Sequence, residues 1–341
     1  MLLLSLVMAT MANDSRAGVD VRGGLLLAFV SAVSFGLSGS LARGLIDVGW
    51  SPSAVVLARI AIAALVVAPL AARALRARWG LLRRNVRIVL LYGAVPVAGT
   101  QFAFFSAVAA MDVGPALLIE YTAPAAIVMW LWLRHRERPR PLTLAGAGIA
   151  AVGLVLVLDL LSGADLALDG VLWALAAMLG AATYFVMSAD TRSGVPPLAL
   201  AGGGLAVGAV GLAALGVVGV LPMRATTAAP TYAGEAVPWW LPFVGLGVIT
   251  AAIAYTTGIA ASRRLGSRLA SFVALLEVVA AVGFAWLLLD QLPGTLQLVG
   301  GTFVLAGVVV VKLGERPPRA DAADARPTRA PGLPVAAGQG E

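Results

Sequence analysis

Three ionisable side chains lie deep inside apolar stretches of this 341-residue chain: Arg59 in LARIAIAALVVAPL (57–70), Glu120 in LLIEYTAPAAIVMWLWL (117–133) and Glu277 in SFVALLEVVAAVGFAWLLLDQL (271–292). At the centre of a bilayer each costs about 3 kcal/mol or more unless it is paired or wetted. At about 1.5 Å per residue, Glu120 sits about 9 Å into its stretch counted from Gly114, and Glu277 about 12 Å counted from Leu269. A carboxylate stem is too short to snorkel out from there. A carboxyl so placed binds a cation, passes a proton, or locks two helices by pairing. Glu120 is the sharper candidate for the first two roles, and Glu277 stands evenly between function and structure. Arg59, always charged, suits anchoring a carboxylate.

Other side chains in the apolar stretches have the chemistry to line a wet cavity: Gln101, Phe104 and Phe105, then Tyr121 and Thr122 beside Glu120, Tyr184, and Tyr255, Thr256 and Thr257. A small zwitterion needs an acceptor for its ammonium, donors for its carboxylate, and an apolar or aromatic wall. Any one of these residues is equally well explained by bonding to, or packing on, a neighbouring helix. As a set they point to a central binding site. Enzymatic chemistry has little to work with. The chain has no Cys and one His, His135, in a basic loop, which excludes thiolate chemistry and a His-rich metal centre. Ser34, Ser38 and Ser40 have no histidine partner. No catalytic residue, metal or cofactor is expected, and a membrane-embedded enzyme is the remote alternative. No ring of like charge or filter segment suggests a channel.

The elements that must position these residues follow from composition. Hydrophobic residues make up 60% of the chain and charged residues 12%, with a mean hydropathy of +0.94, whereas soluble domains carry about 25% charged residues. Apolar stretches of about 20 residues recur throughout. They predict an all-α polytopic membrane protein with ten transmembrane helices, at 23–46, 53–72, 88–108, 114–133, 142–161, 168–189, 198–221, 239–261, 269–289 and 296–313. Residues 1–22 form an amino-terminal cytoplasmic segment, in which Met11 is an alternative start. Residues 314–341 carry too few large apolar side chains to fold and read as a disordered cytoplasmic tail.

Sorting the charges by loop explains the net charge of +7. With the amino terminus inside, the arginines of 73–87, 134–140 and 263–268 fall on the cytoplasmic face, and Arg43 and Arg224 alone fall outside. This positive-inside pattern predicts a multi-pass protein of the plasma (inner) membrane with both termini cytoplasmic. The expected partners are a small-molecule substrate and the lipid bilayer, without nucleic acid, as a monomer or homodimer.

Shifting the second half by 154 positions lays 112–157 over 266–311 with 12 identities in 46 positions, among them Trp132 on Trp286, Pro139 on Pro293, Gly146 on Gly300 and Gly153 on Gly307. The first spans align more loosely, Gly23-Gly24-Leu25 on Asp169-Gly170-Val171. The halves, 23–161 and 168–313, hold five spans each, and an odd number inserts the second copy upside down. The loops agree: 134–141 is Arg-rich, whereas its counterpart 288–295 has no basic residue.

The strings around Arg59, Glu120 and Glu277, with the closing LQLVGGTFVLAGVVVV (296–311), resemble the EamA-type drug/metabolite transporter superfamily over about residues 20–313. IEYTAP (119–124) looks like its threonine/homoserine exporter branch. The resemblance implies two inverted five-helix repeats and export of amino acids or related small metabolites by a proton-coupled or gradient-driven exporter working by alternating access. Transport of another small-metabolite class, a nucleobase or a drug-like compound, in either direction is the alternative. One departure matters: the usual ninth-span Glu-Pro pair is Glu277-Val278, whereas the first repeat has Pro124 at the matching position and Ala123 where Glu277 stands. The site residues read from the chain are thus Glu120, Tyr121, Glu277, Arg59, Gln101, Phe105, Tyr184 and Tyr255.

Overall fold

A computed structural model describes residues 21–75, 79–123, 140–157, 167–190 and 192–314. The first span is α1 (Val21–Asp47) and the second α2 (Pro52–Ala74), which starts where the Ser51 hydroxyl caps Ala54 N and Pro52 occupies the first turn. The Arg-rich connection after it, expected as a loop, contains the short helix α3 (Trp79–Arg84). Next come α4 (Val86–Ala110) and α5 (Val113–Glu120), whose continuation lies outside the described residues together with Pro124, Trp132 and His135. The remaining helices are α6 (Pro141–Val157), α7 (Leu168–Ala189) and α8 (Pro197–Val217). They are followed by α9 (Trp240–Val244, Gly245–Ile253 and Ala254–Ala274 in succession), α10 (Leu276–Leu289) and α11 (Thr295–Gly314). Among the described residues, six helices are long and apolar enough to cross a membrane, and three apolar helices are shorter. The protein is therefore polytopic, although the ten-span count is not reproduced helix for helix.

Residues 262–268, expected as a loop between spans, are helical. The chain nevertheless reverses there. The Ser31 hydroxyl donates to Ala254 O at 2.9 Å, Gly24 packs on Arg264 and Leu265, and Gly36 packs on the Glu277 carbonyl and Ala281. A straight helix would put 254 and 277 about 34 Å apart. Both touch α1 within five residues of each other, or about 7.5 Å of helix. The strand of helix that descends beside α1 therefore turns back along it.

The two halves meet about a pseudo-two-fold axis. In α6 and α11, Gly146 lies on Gly307 and Gly153 on Gly300, and Gly307 and Gly300 are the positions equivalent to Gly153 and Gly146 under the 154-residue shift. Such a reciprocal contact is what a two-fold relation produces. The helices run antiparallel, with Gly314 against Thr143 at one end and Gly300 against Val157 at the other, so the axis that relates this pair lies across them. The same relation recurs in the interior: π-helical turns occupy Gly93–Gly99 within α4 and Gly245–Ile253 within α9, matching stretches under the same shift. Pro96 in the first has no N–H to give, and in the second the Thr250 hydroxyl bonds back to Leu246 O at 2.8 Å.

Among the described residues, the connection between α8 and α9 is the one exception to an all-α fold. It carries a minimal hairpin, β1 (Thr231–Tyr232) antiparallel to β2 (Glu235–Ala236), turning through Ala233 and Gly234 at positive φ. It is tied down on both repeats: the Tyr232 hydroxyl donates to Leu41 O at 2.6 Å, and Ala233 N donates to Leu288 O at 2.8 Å. Burial pushes the Tyr232 phenol above its ordinary range. Beside it, Trp50 meets Trp239 and Phe243 with ring centroids 6.0 and 4.7 Å apart. Together these contacts close the Asp47 end of α1.

A Cβ on Gly146 would lie 2.5 Å from Val311 N and 2.7 Å from Gly307 O, whereas one on Gly148 meets nothing within 4 Å. Gly146→Leu is expected to lower the melting temperature of the detergent-purified protein by the equivalent of about 1–3 kcal/mol or to prevent folding. Gly148→Leu should stay within about 0.5 kcal/mol of the parent.

Candidate functional site

The backbone is interrupted twice at mid-span, at equivalent places. α5 ends at Glu120, and Tyr121 and Thr122 form a turn; α9 ends at Ala274, and Leu275 breaks the helix before α10. Tyr121 and Leu275 are 154 positions apart. In the first repeat the cause is readable: Pro124 has no N–H for the Glu120 carbonyl. In the second, Val278 N turns instead to Leu275 O at 3.2 Å.

A cavity of about 80 Å³, counted as space open to the centres of water molecules, lies beside both breaks. One water needs about 10–15 Å³ on this measure, so several fit. Its walls come from both repeats, in equivalent pairs: Glu120 with Ala274, Ala123 with Glu277, and Gln101 with Tyr255. The cavity therefore sits on the pseudo-two-fold axis, and each carboxyl faces it from a position where the other repeat has alanine. From the mid-helix residue Phe35 it extends past Ser31 and Ala28 toward the Val21 end of α1, the arginine-rich side.

The two carboxyls have unlike surroundings. Glu277 is in the first turn of α10 and accepts a hydrogen bond from the Tyr121 hydroxyl at 2.6 Å, across the axis. A helix amino terminus and a short hydroxyl bond both favour negative charge. Glu120 is the last residue of α5, where the helix dipole opposes negative charge. It is 9% exposed, and no hydrogen bond or ion pair reaches its carboxyl among the described residues.

Arg59, 1% exposed, is not the partner of either. Its terminal nitrogens donate to Gln101 Oε1 and to the Thr250 carbonyl, and its guanidinium lies over the Phe105 ring at 5.4 Å. Gln101 Nε2 donates onward to Tyr255 Oη at 3.3 Å, and Tyr255 Oη to the Pro96 carbonyl at 3.2 Å. Thr250 and Pro96 are equivalent positions of the two π turns. Such turns free backbone carbonyls, and here the Arg59–Gln101–Tyr255 chain uses both to staple the repeats together. Arg59 and Phe105 thus stand one layer behind the cavity wall.

Glu120, Tyr121, Glu277, Gln101, Tyr184 and Tyr255 all face the cavity. Thr256 and Thr257 instead bond back to Ala252 and Ile253 carbonyls within their own helix. Phe35, Phe185 and Ser262 also line the cavity and were not legible in the sequence. Phe35 differs in nothing local from Phe29, which faces outward at 50% exposure. Phe35, Tyr184 and Tyr255 stand edge to face, with centroids 5.1, 5.8 and 6.4 Å apart. The Tyr184 hydroxyl is buried without a hydrogen bond of acceptable geometry. Gly258 makes room for it, since a Cβ there would lie 2.5 Å from Tyr184 Oη.

A sequence model of the EamA-like transporter family matches residues 22–159 and 168–313. Among solved structures 17 chains match. One, described only as "Crystal structure of protein", superposes with a TM-score of 0.57 at 23% identity, over 86% of this chain and 97% of that one. That likeness shows the fold. No curated protein matches.

Tyr121→Phe removes the bond that crosses the axis and is expected to cost about 1.5–3 kcal/mol with Glu277 charged, read as a fall in unfolding temperature in detergent. Tyr255→Phe, losing two longer neutral bonds, should cost about 1 kcal/mol.

Proposed function

Because the chain belongs to the EamA-like transporter family, we propose that it is a secondary transporter of the inner membrane, with both termini cytoplasmic. It exports small ammonium-bearing metabolites, a class that includes amino acids and their analogues, by alternating access in exchange for protons. The observation that carries this reading is Glu120: a carboxyl inside the membrane, facing a cavity on the pseudo-two-fold axis, with no protein partner among the described residues.

Charge counting gives the mechanism. The buried centre holds one fixed positive charge, Arg59, and two carboxyls, of which Glu277 already has the Tyr121 hydroxyl and a helix amino terminus. A single proton or a single ammonium on Glu120 neutralises the centre. Both compete for the same carboxyl, so occupation by one expels the other, and crossing the bilayer with neither leaves a bare charge that costs about 3 kcal/mol or more. Exchange follows from that competition. The cavity reaches the arginine-rich side of α1, and the opposite end is closed by Tyr232 on Leu41 and by the Trp50, Trp239 and Phe243 rings. This geometry supports a cytoplasm-facing state, and the inverted repeats supply the outward-facing one by exchanging conformations.

Two experiments test the reading. In proteoliposomes, Glu120→Gln should bind substrate about 10–150-fold more weakly, from the loss of about 1.5–3 kcal/mol of charged contact, and should lose proton-driven flux. Normal export by this variant at every pH would remove the coupling role. The absence of cysteine makes single-cysteine labelling direct. Glu137→Cys should react only from the cytoplasmic side and Gln291→Cys only from outside, and labelling of both from one side would refute the inverted arrangement in the membrane.

A further inference from the structure

Within the transporter reading, and resting on it, we propose that the central cavity reads a substrate's ammonium and leaves its carboxylate unread, so that aromatic primary amines are preferred over the corresponding amino acids. A zwitterion must bury two charges and needs a partner for each. Among the described residues, the cavity wall supplies two carboxyls, Glu120 and Glu277, and no Arg, Lys or His. The cations nearest it, Arg59 and Arg263, are absent from the wall; Arg59 gives one N–H from each terminal nitrogen to Gln101 Oε1 and the Thr250 carbonyl, and its Nε is buried behind the wall without a partner.

The neutral donors of the wall are also largely engaged. Gln101 Nε2 gives one of its two N–H groups to Tyr255, Tyr255 Oη donates to Pro96 O, and the hydroxyls of Ser31 and Thr100 donate to the carbonyls of Ala254 and Val95. Tyr121 Oη is held by Glu277. A buried substrate carboxylate would therefore meet two like charges and uncharged hydroxyls such as that of Tyr184.

An ammonium meets the opposite situation. Glu120 is unpartnered among the described residues and faces the cavity, and the Phe35, Tyr184 and Tyr255 rings stand in mutual edge-to-face contact around the same space. Aromatic faces attract a desolvated ammonium, and rings grouped with a carboxylate form a cation cage. The same rings give an aromatic substrate body its apolar wall. The asymmetry between the repeats strengthens the point: the position equivalent to Glu120 is Ala274, also on the wall, so the cage has one principal acceptor and room opposite it for the ring.

Three probes that differ only in charge separate the possibilities: phenethylamine (cation), phenylalanine (zwitterion) and 3-phenylpropionate (anion). Their binding to the purified full chain in nanodiscs is measured by calorimetry near pH 8. Phenethylamine is expected to bind at least about tenfold more tightly than phenylalanine, the equivalent of one unpaired buried charge at the low end, and 3-phenylpropionate not at all. Glu120→Gln should lose phenethylamine binding. Should that variant not fold, the double variant Glu120→Ala with Ala274→Glu returns a carboxyl to the same cavity from the opposite wall and should retain the amine preference. Phenylalanine binding as tightly as the amine, or binding of 3-phenylpropionate, overturns the preference and leaves the transporter reading in place. Failure of all three to bind overturns both. Unchanged amine binding in a folded Glu120 variant removes Glu120 as the reader and overturns the proposal.

Discussion

A carboxyl group inside a bilayer must be bonded, protonated or wetted, because leaving it bare costs several kcal/mol. The centre of this protein is arranged around two of them, treated differently. Glu277 is given a hydroxyl and the favourable end of a helix. Glu120 is placed at the unfavourable end of another and faces a cavity, with no partner among the described residues. The helix breaks at Tyr121 and Leu275 create both situations at once, since a break supplies one carboxyl-terminal and one amino-terminal helix end at the same depth.

Symmetry supplies the frame, and departures from it supply the chemistry. Glycines 146, 153, 300 and 307 hold α6 and α11 in reciprocal contact, and the π turns fall at matching stretches. On the axis itself, equivalent positions carry unlike residues: Glu120 against Ala274, Glu277 against Ala123, Gln101 against Tyr255. Gln101 and Tyr255 bond each other, and Arg59, whose counterpart region in the second repeat is purely aliphatic and glycine-rich, anchors that bond to a π-turn carbonyl. Two equivalent halves around a charged, unsymmetrical centre are what the proposed carrier needs in order to tell its loaded from its empty state.

Much of this was legible in the chain. Hydropathy located some spans closely, as 168–189 against Leu168–Ala189 shows, because burial in lipid demands long apolar runs, although the ten-span count is not reproduced among the described residues. The glycine pairs marked the repeat, since spaced small residues are hard to replace where backbones touch. The intramembrane carboxyls were visible by their cost alone. Their unlike environments were not: Pro124 hints at the first break, but nothing in Leu275-Leu276-Glu277-Val278 announces the second. Arg59 looked like a partner for a carboxylate, because charge suggests charge. The π turns at Gly93–Gly99 and Gly245–Ile253 instead offered it free carbonyl oxygen, which sequence periodicity does not reveal. Phe35 and Phe185 joined the cavity wall only through packing across the axis.

The account rests on one competition, between a proton and an ammonium for the Glu120 carboxyl. It is tested most directly by following proton release in weakly buffered solution while phenethylamine is added to the purified protein at a pH where the empty site is protonated. Release of close to one proton per amine bound, abolished in Glu120→Gln, is the predicted result. Binding without proton release, or release that persists in the variant, would contradict it.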